Sequence, residues 1–219
     1  NIGSGVFSGL KFLYNFLIGI VASIYVMANK EYLASRGKKI IYAVFKVKNA
    51  NTILDGLSEM NRIFGQFING KILDSLIIGM IMFIVSTILN LPYAVLISVI
   101  VGVTNVIPFF GPIIGAVPCF FIVLIADPIK SLVLLIVILV LQQFDGNILG
   151  PKILGDSIGM KPLWIIFAIT VGGSIAGVLG MFLGVPAVAF IRYLIQRLIN
   201  HQLQKRDESL PEHLQPFEF

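Results

Sequence analysis

Long apolar runs broken by short polar stretches dominate the chain. The first run covers residues 10–28; about 19 residues, or about 28 Å at 1.5 Å each, match a hydrocarbon core of about 30 Å and predict a spanning helix. From Ile53 to Ile68 the pattern changes. Ile53, Leu57, Met60, Phe64 and Phe67 recur at helical spacing, while Asp55, Glu59, Arg62 and Gln66 take other faces. This predicts an amphipathic helix in the headgroup plane, with packing against a partner subunit as the alternative. Thr52 and Asp55 read as a capping box at its start. Residues 72–89 and 131–149 predict two further spans.

Two units do not fit single spans. Residues 93–107 and 112–126 supply about 15 helical residues each, about 22 Å, so neither crosses about 30 Å. Residues 105–118, N-V-I-P-F-F-G-P-I-I-G-A-V-P, place three prolines and two glycines in this apolar sequence. Hydrocarbon offers no water to a broken backbone, so such a break needs a packed or wet interior. A re-entrant helical hairpin over about 93–126 is predicted. A second, over about 162–191, has a short apolar half at 162–171 and the glycine-rich centre G-G-S-I-A-G-V-L-G from Gly172 to Gly180. The spacings Gly173 to Gly177 and Gly180 to Gly184 equally suit close helix packing.

The fold class read from these patterns is all-α: a polytopic integral membrane protein with spanning helices and two re-entrant hairpins. Its segments are a transmembrane helix at 1–29, a cytoplasmic basic loop and amphipathic helix at 30–71, a transport region at 72–199 and a polar tail at 200–219.

Composition agrees. The chain is 57% hydrophobic and 12% charged, with a mean hydropathy of +0.95, far from the roughly 25% charged residues of a soluble domain. A formal charge of +5 raises a nucleic-acid reading, but the basic residues lie in short connections between apolar runs, the pattern of positive-inside loops. Lys30, Arg36, Lys38, Lys39, Lys46 and Lys48 against Glu31 assign 30–48 to the cytoplasm. The same rule puts the polar connection with Lys152 and Lys161, and the C-terminus, inside. The first hairpin then opens outside and the second inside, so their tips meet near mid-membrane. A start at Asn1 rather than Met reads as a fragment lacking its N-terminal part.

Chemistry is sparse. No nucleophile elbow, zinc-protease motif or phosphate loop occurs, so no enzyme, cofactor or metal is expected. His201 and His213 lie in the polar tail, and Cys119 is a lone thiol in an apolar run. Asp74, three positions after Lys71, reads as a structural pair snorkelling at a helix end. Asp145 has two open readings: a functional acid with Gln142 one turn away, or a helix-end acid near Lys152 in wet headgroups. Asn105 offers an amide at a broken helix, where helix termini hold polar solutes or ions.

Three blocks in order, L-P-Y-A-V-L-I-S-V-I-V-G-V-T-N-V-I-P-F-F-G-P-I-I-G-A-V-P, Q-Q-F-D-G-N-I-L-G-P-K-I-L-G-D-S-I-G-M-K-P-L-W and G-G-S-I-A-G-V-L-G-M-F-L-G-V-P-A-V-A, resemble the autoinducer-2 exporter family of bacterial membrane proteins. The resemblance covers nearly all of the chain. It implies a multi-pass secondary transporter of the bacterial cytoplasmic membrane, assembled as a homopentamer, similar in design to elevator carriers. The site it implies is built from Asn105, Pro108, Gly111 and Pro112 at the first tip, Gln142, Gln143, Asp145 and Pro151 at the polar span end, and Gly172, Gly173, Gly177 and Gly180 at the second tip. Its partners would be the lipid bilayer and a small polar solute, possible coupling ions being sodium and protons. Family members are also associated with sodium/proton antiport and with sporulation, so a cation/proton antiporter and a non-transporting assembly protein stand as alternatives.

Overall fold

A computed structural model describes residues 2–154 and 160–205, and among them every element is helical. The tail beyond residue 205 and residues 155–159 of the polar connection lie outside the described residues. The chain divides into two compact units, Asn1–Leu57 and Ser58–Phe219.

In the first unit, α1 (Ile2–Ala28) is followed by α2 (Lys30–Val44), and α3 (Val47–Ile88) begins. Leu13–Ala28 and Lys30–Val44 are bent by 71° from one another. The break falls at Asn29, whose φ of −105° and ψ of 16° leave the helical region. Its side-chain Nδ2 donates to Tyr25 O at 2.9 Å, offering the backbone a local partner where the helix stops. Residues 30–44, expected as a loop from their charge, are helical: Lys, Arg, Ala, Leu and Glu are good helix formers, and charge density alone does not oppose a helix. Thr52 is not a cap. It sits inside α3, where its Oγ1 donates to Lys48 O at 3.1 Å, the backward bond of a mid-helix threonine.

The second unit holds the rest of α3, then α4 (Ala94–Thr104), α5 (Phe110–Ala126), α6 (Pro128–Phe144), a π-helical turn (Asp145–Leu149), α7 (Gly150–Leu154) and α8 (Pro162–Lys205). The expected amphipathic helix and the span after it run together in α3. Ile78, Met82, Ile97, Val101, Cys119, Val123, Leu134 and Ile138 form a buried core shared by α3, α4, α5 and α6. Among the described residues, Val47–Ile88, Pro128–Ile153 and Pro162–Asn200 are long and apolar enough to cross a membrane, and the bent pair α1–α2 would make a fourth span. The chain is a multi-pass membrane protein.

α4 and α5 are short, 11 and 17 residues, and fold back on each other. Proline explains the break. Pro108 cannot donate to Thr104 O, and its ring would collide there, so α4 stops. The chain then reverses through Phe109, at φ 62° and ψ −49°, with Phe110 N–H donating to Pro108 O at 2.7 Å. That is the rare, strained form of γ-turn. Pro112 lies in the first turn of α5, where a missing N–H costs little. The arms touch because Gly111 and Gly115 lack side chains: a Cβ on Gly111 would sit 2.0 Å from Thr104 O, and one on Gly115 would sit 2.3 Å from Thr104 Oγ1.

α8 likewise folds back, at Ala176 (φ −135°, ψ 24°) and Gly177 (φ 57°, ψ −136°). The glycine-rich centre is a tight turn. A Cβ on Gly172 would lie 2.1 Å from Gly180 O, and one on Gly184 would lie 2.5 Å from Ala168 O. The close pairs are therefore Gly172 with Gly180 and Ala168 with Gly184, not the four-residue spacings seen in sequence.

Candidate functional site

Close approach of two helices builds the site. Gly79 of α3 and Gly102 of α4 meet with backbones almost in contact; a Cβ on Gly102 would lie 3.1 Å from Gly79 Cα. Because the helices run in opposite directions here, residues just beyond Gly102 come to lie beside residues just before Gly79. Asn105, at the end of α4, is thereby set against Asp74 of α3.

Asn105 is 2% exposed, and its Nδ2 donates to Asp74 Oδ2 at 3.2 Å and to Asp145 Oδ2 at 3.3 Å. Lys71 Nζ donates to the same Asp74 Oδ2 in an ion pair whose partners are 5% and 0% exposed. Four side chains from α3, the first hairpin and the π turn after α6 thus form one polar cluster inside an apolar protein. The Lys71–Asp74 pair expected from sequence exists, but it does not snorkel: it is buried. Asp145 engages Asn105, while Lys152 is exposed.

The π turn itself aims Asp145. Pro151 cannot donate to Asn147 O, so the helix inserts one residue, and Gly150 N–H bonds back five positions to Asp145 O. Asp145 is the first residue of that widened turn. Gln142 lies on the preceding turn, half-buried.

Electrostatics leave the cluster open. Two carboxylates face one ammonium, so with all three ionised one negative charge is uncompensated, and an unmatched charge away from water is costly. Asp74 Oδ1, Asp145 Oδ1 and Gln142 Nε2 are buried and have no hydrogen-bond partner among the described residues. Such a set accepts a proton or a cation at the carboxylates, with the Gln142 amide as a spare donor for a polar solute. Among the described residues no group of three or more His, Cys, Asp or Glu side chains is placed to hold a metal ion.

The other residues expected at the site lie outside this four-residue cluster. Pro108 is half-buried beside the γ-turn, and Gly111 and Pro112 shape the start of α5. Gln143 is exposed and accepts from Asn147 Nδ2 at 3.1 Å through its Oε1. Pro151 is exposed in α7. Gly172 and Gly180 meet each other, Gly173 meets Met181, and a Cβ on Gly177 would meet nothing within 4 Å. Sequence reasoning missed Lys71 and Asp74 as members of the site. The signal was an ionisable pair inside an apolar run, which in a membrane segment points to function before structure.

The sequence model of one family, described as AI-2E family transporter, matches residues 1–200. The chain belongs to the AI-2E transporter family. It is similar to "Putative transport protein YrrI" of Bacillus subtilis (strain 168), 42% identical over 64% of this chain and 39% of that protein. "Putative transport protein YueF" of the same organism is 30% identical over 85% of this chain and 52% of its own length. "Putative permease PerM" of Escherichia coli (strain K12) is 27% identical over 75% and 48%. The chain thus spans about half the length, or less, of these curated relatives. No solved structure matches the chain. Within this member of the AI-2E family, the Lys71–Asp74–Asn105–Asp145 cluster is a buried ionic network.

Proposed function

We propose that the chain is the transport region of a secondary transporter that exports a small polar solute, the autoinducer-2 furanone being the first to test, by alternating access between its two hairpins. The hairpins enter the membrane from opposite faces, and their tips approach near the midplane. The transporter sits in the bacterial cytoplasmic membrane as a homopentamer, with its C-terminus in the cytoplasm. Asn105, Pro108, Gly111 and Pro112 form one lip of the solute site. Gln142, Gln143, Asp145 and Pro151 form its wall, and Gly172, Gly173, Gly177 and Gly180 form the other lip.

The observation that carries this reading is the double hydrogen bond of Asn105 to Asp74 and Asp145. The hairpin tip cannot move away from α3 and α6 without breaking both bonds. Any ligand that changes the charge of the carboxylates therefore changes the energy of that movement, which is what coupling requires. Sodium or a proton is the coupling ion.

The one-charge excess of the cluster also favours a second reading, a cation/proton antiporter with no organic cargo. Proteoliposomes loaded with candidate solutes separate the two. Solute efflux that responds to a sodium or proton gradient and falls in Asp145→Asn supports the exporter. Ion-driven pH change lost in Asp145→Asn, without solute flux, replaces it with the antiporter. Absence of either flux makes this an assembly protein whose hairpins only pack.

A further inference from the structure

The sharp bend after α1 produces a surface that the transport reading does not use. α2 carries Leu33, Gly37, Ile40, Ile41 and Val44 at helical spacing on one face, with Glu31, Ser35, Lys38 and Lys39 on the other. No residue of α2 is buried, and Leu33, Ile40 and Val44 are 48%, 63% and 68% exposed. A bare apolar face on an otherwise basic helix has to be covered by something.

We infer that α2 is a surface-lying helix that docks on anionic phospholipid headgroups at the end of the first span. Three observations select this occupant. The 71° bend from Leu13–Ala28 turns α2 towards the membrane plane if that helix crosses near the normal. Six basic residues against one acidic residue between Lys30 and Lys48 make the segment complementary to an anionic leaflet. Burying that charge density in hydrocarbon is prohibitive, which sets α2 apart from a second half of a span. Tyr32 and Tyr42 suit the headgroup level, and the Arg36 guanidinium lies over the Tyr32 ring, 4.9 Å from its centroid, holding that cation on the flank of the helix. The covalent link to α1 keeps α2 beside the bilayer, so lipid has an advantage over any partner that must diffuse to it.

The test uses the full chain in lipid nanodiscs, with Cys119→Ala as background and a fluorophore on Ile40→Cys, on Leu33→Cys as a second apolar-face position, or on Ser35→Cys. Spin-labelled lipids report depth. The apolar-face probes should be quenched most by a label near the headgroup, and more by phosphatidylglycerol than by phosphatidylcholine. The probe on Ser35→Cys should be quenched by aqueous iodide. Each basic residue near such a surface contributes up to about fivefold to the anionic preference. The combined Arg36→Gln, Lys38→Gln and Lys39→Gln variant, or high salt, should therefore sharply weaken the preference while leaving the shallow depth unchanged. Strongest quenching by a chain-end label would overturn the inference in favour of an inserted helix. Protection from both lipid and iodide would overturn it in favour of a protein partner, and equal quenching by the two lipids would remove the anionic docking. None of these readouts requires transport, so they stand apart from the function proposed above.

Discussion

Asp74 and Asp145 accept hydrogen bonds from the same nitrogen, Asn105 Nδ2, at 3.2 and 3.3 Å. One amide at a hairpin tip therefore holds together two carboxylates that would otherwise repel. Asn105→Ala removes both bonds at once. We expect it to lower thermal stability by about 1–3 kcal/mol, the cost of leaving buried acceptors without a donor. Gradient-driven flux in proteoliposomes should fall by roughly tenfold or more, because the link between tip position and carboxylate charge is gone. Normal flux in a stable variant would detach the cluster from transport.

Lys71 supplies the only positive charge in the cluster among the described residues. Lys71→Gln leaves two buried carboxylates without compensation, which should destabilise by about 3–5 kcal/mol. Adding Asp74→Asn to that variant restores the original excess of one negative charge. The double variant should therefore recover part of the loss, with a coupling energy above about 0.5 kcal/mol in a thermal-unfolding cycle. Strict additivity would mean that the pair does not interact as placed.

The sequence carried the apolar helices well, because apolar run length is a local signal. It also located both chain reversals, since Pro108 and the glycines at 172–180 leave a visible mark. Partnership across helices was not legible. Asp74 and Asn105 meet through the Gly79–Gly102 crossing, and a glycine inside an apolar run announces a close contact without naming its partner. The same limit applied to Gly172 and Gly180, whose pairing follows from the position of the turn at Gly177 rather than from their spacing. Residues 30–44 were misread for a different reason: charge density indicates a side of the membrane but says nothing about helicity.

That crossing makes its own prediction. Gly102→Val puts side-chain atoms where a Cβ already lies 3.1 Å from Gly79 Cα and 3.3 Å from Ser75 O. Backbone cannot yield as a flexible side chain would, so α4 must move away from α3, at a cost of about 1–3 kcal/mol. A disulfide or short cross-linker between Asp74→Cys and Asn105→Cys, in a Cys119→Ala background, should form readily with Gly102 present and poorly in its Val variant. Equal cross-linking in both would show that the glycines do not set the approach.

Gly177 has open space around it, so size alone predicts that alanine is tolerated. Its φ of 57° with ψ of −136° argues the opposite, because that region excludes residues with a Cβ. Gly177→Ala should cost about 1–3 kcal/mol by thermal unfolding despite filling an empty position. A neutral result would mean that the turn in α8 relaxes to another backbone shape.

Phe109 is the counterpart in the first hairpin, a residue with a Cβ already in a strained backbone, at φ 62° and ψ −49°. Its side chain is 52% exposed, so truncation removes modest packing. Two variants separate the contributions. Phe109→Ala loses the ring and keeps the strain, whereas Phe109→Gly loses the ring and releases strain of about 1–3 kcal/mol. Glycine gives back about 0.5–1 kcal/mol of that through the greater freedom of its unfolded chain. The glycine variant should therefore unfold at a higher temperature than the alanine variant, by an amount equivalent to about 1 kcal/mol. If strain at this turn fixes where Asn105 sits, the more stable glycine variant should also be the slower transporter, since a relaxed tip samples positions away from Asp74 and Asp145. A glycine variant less stable than the alanine variant by about 0.5–1 kcal/mol would show that the γ-turn stores no energy.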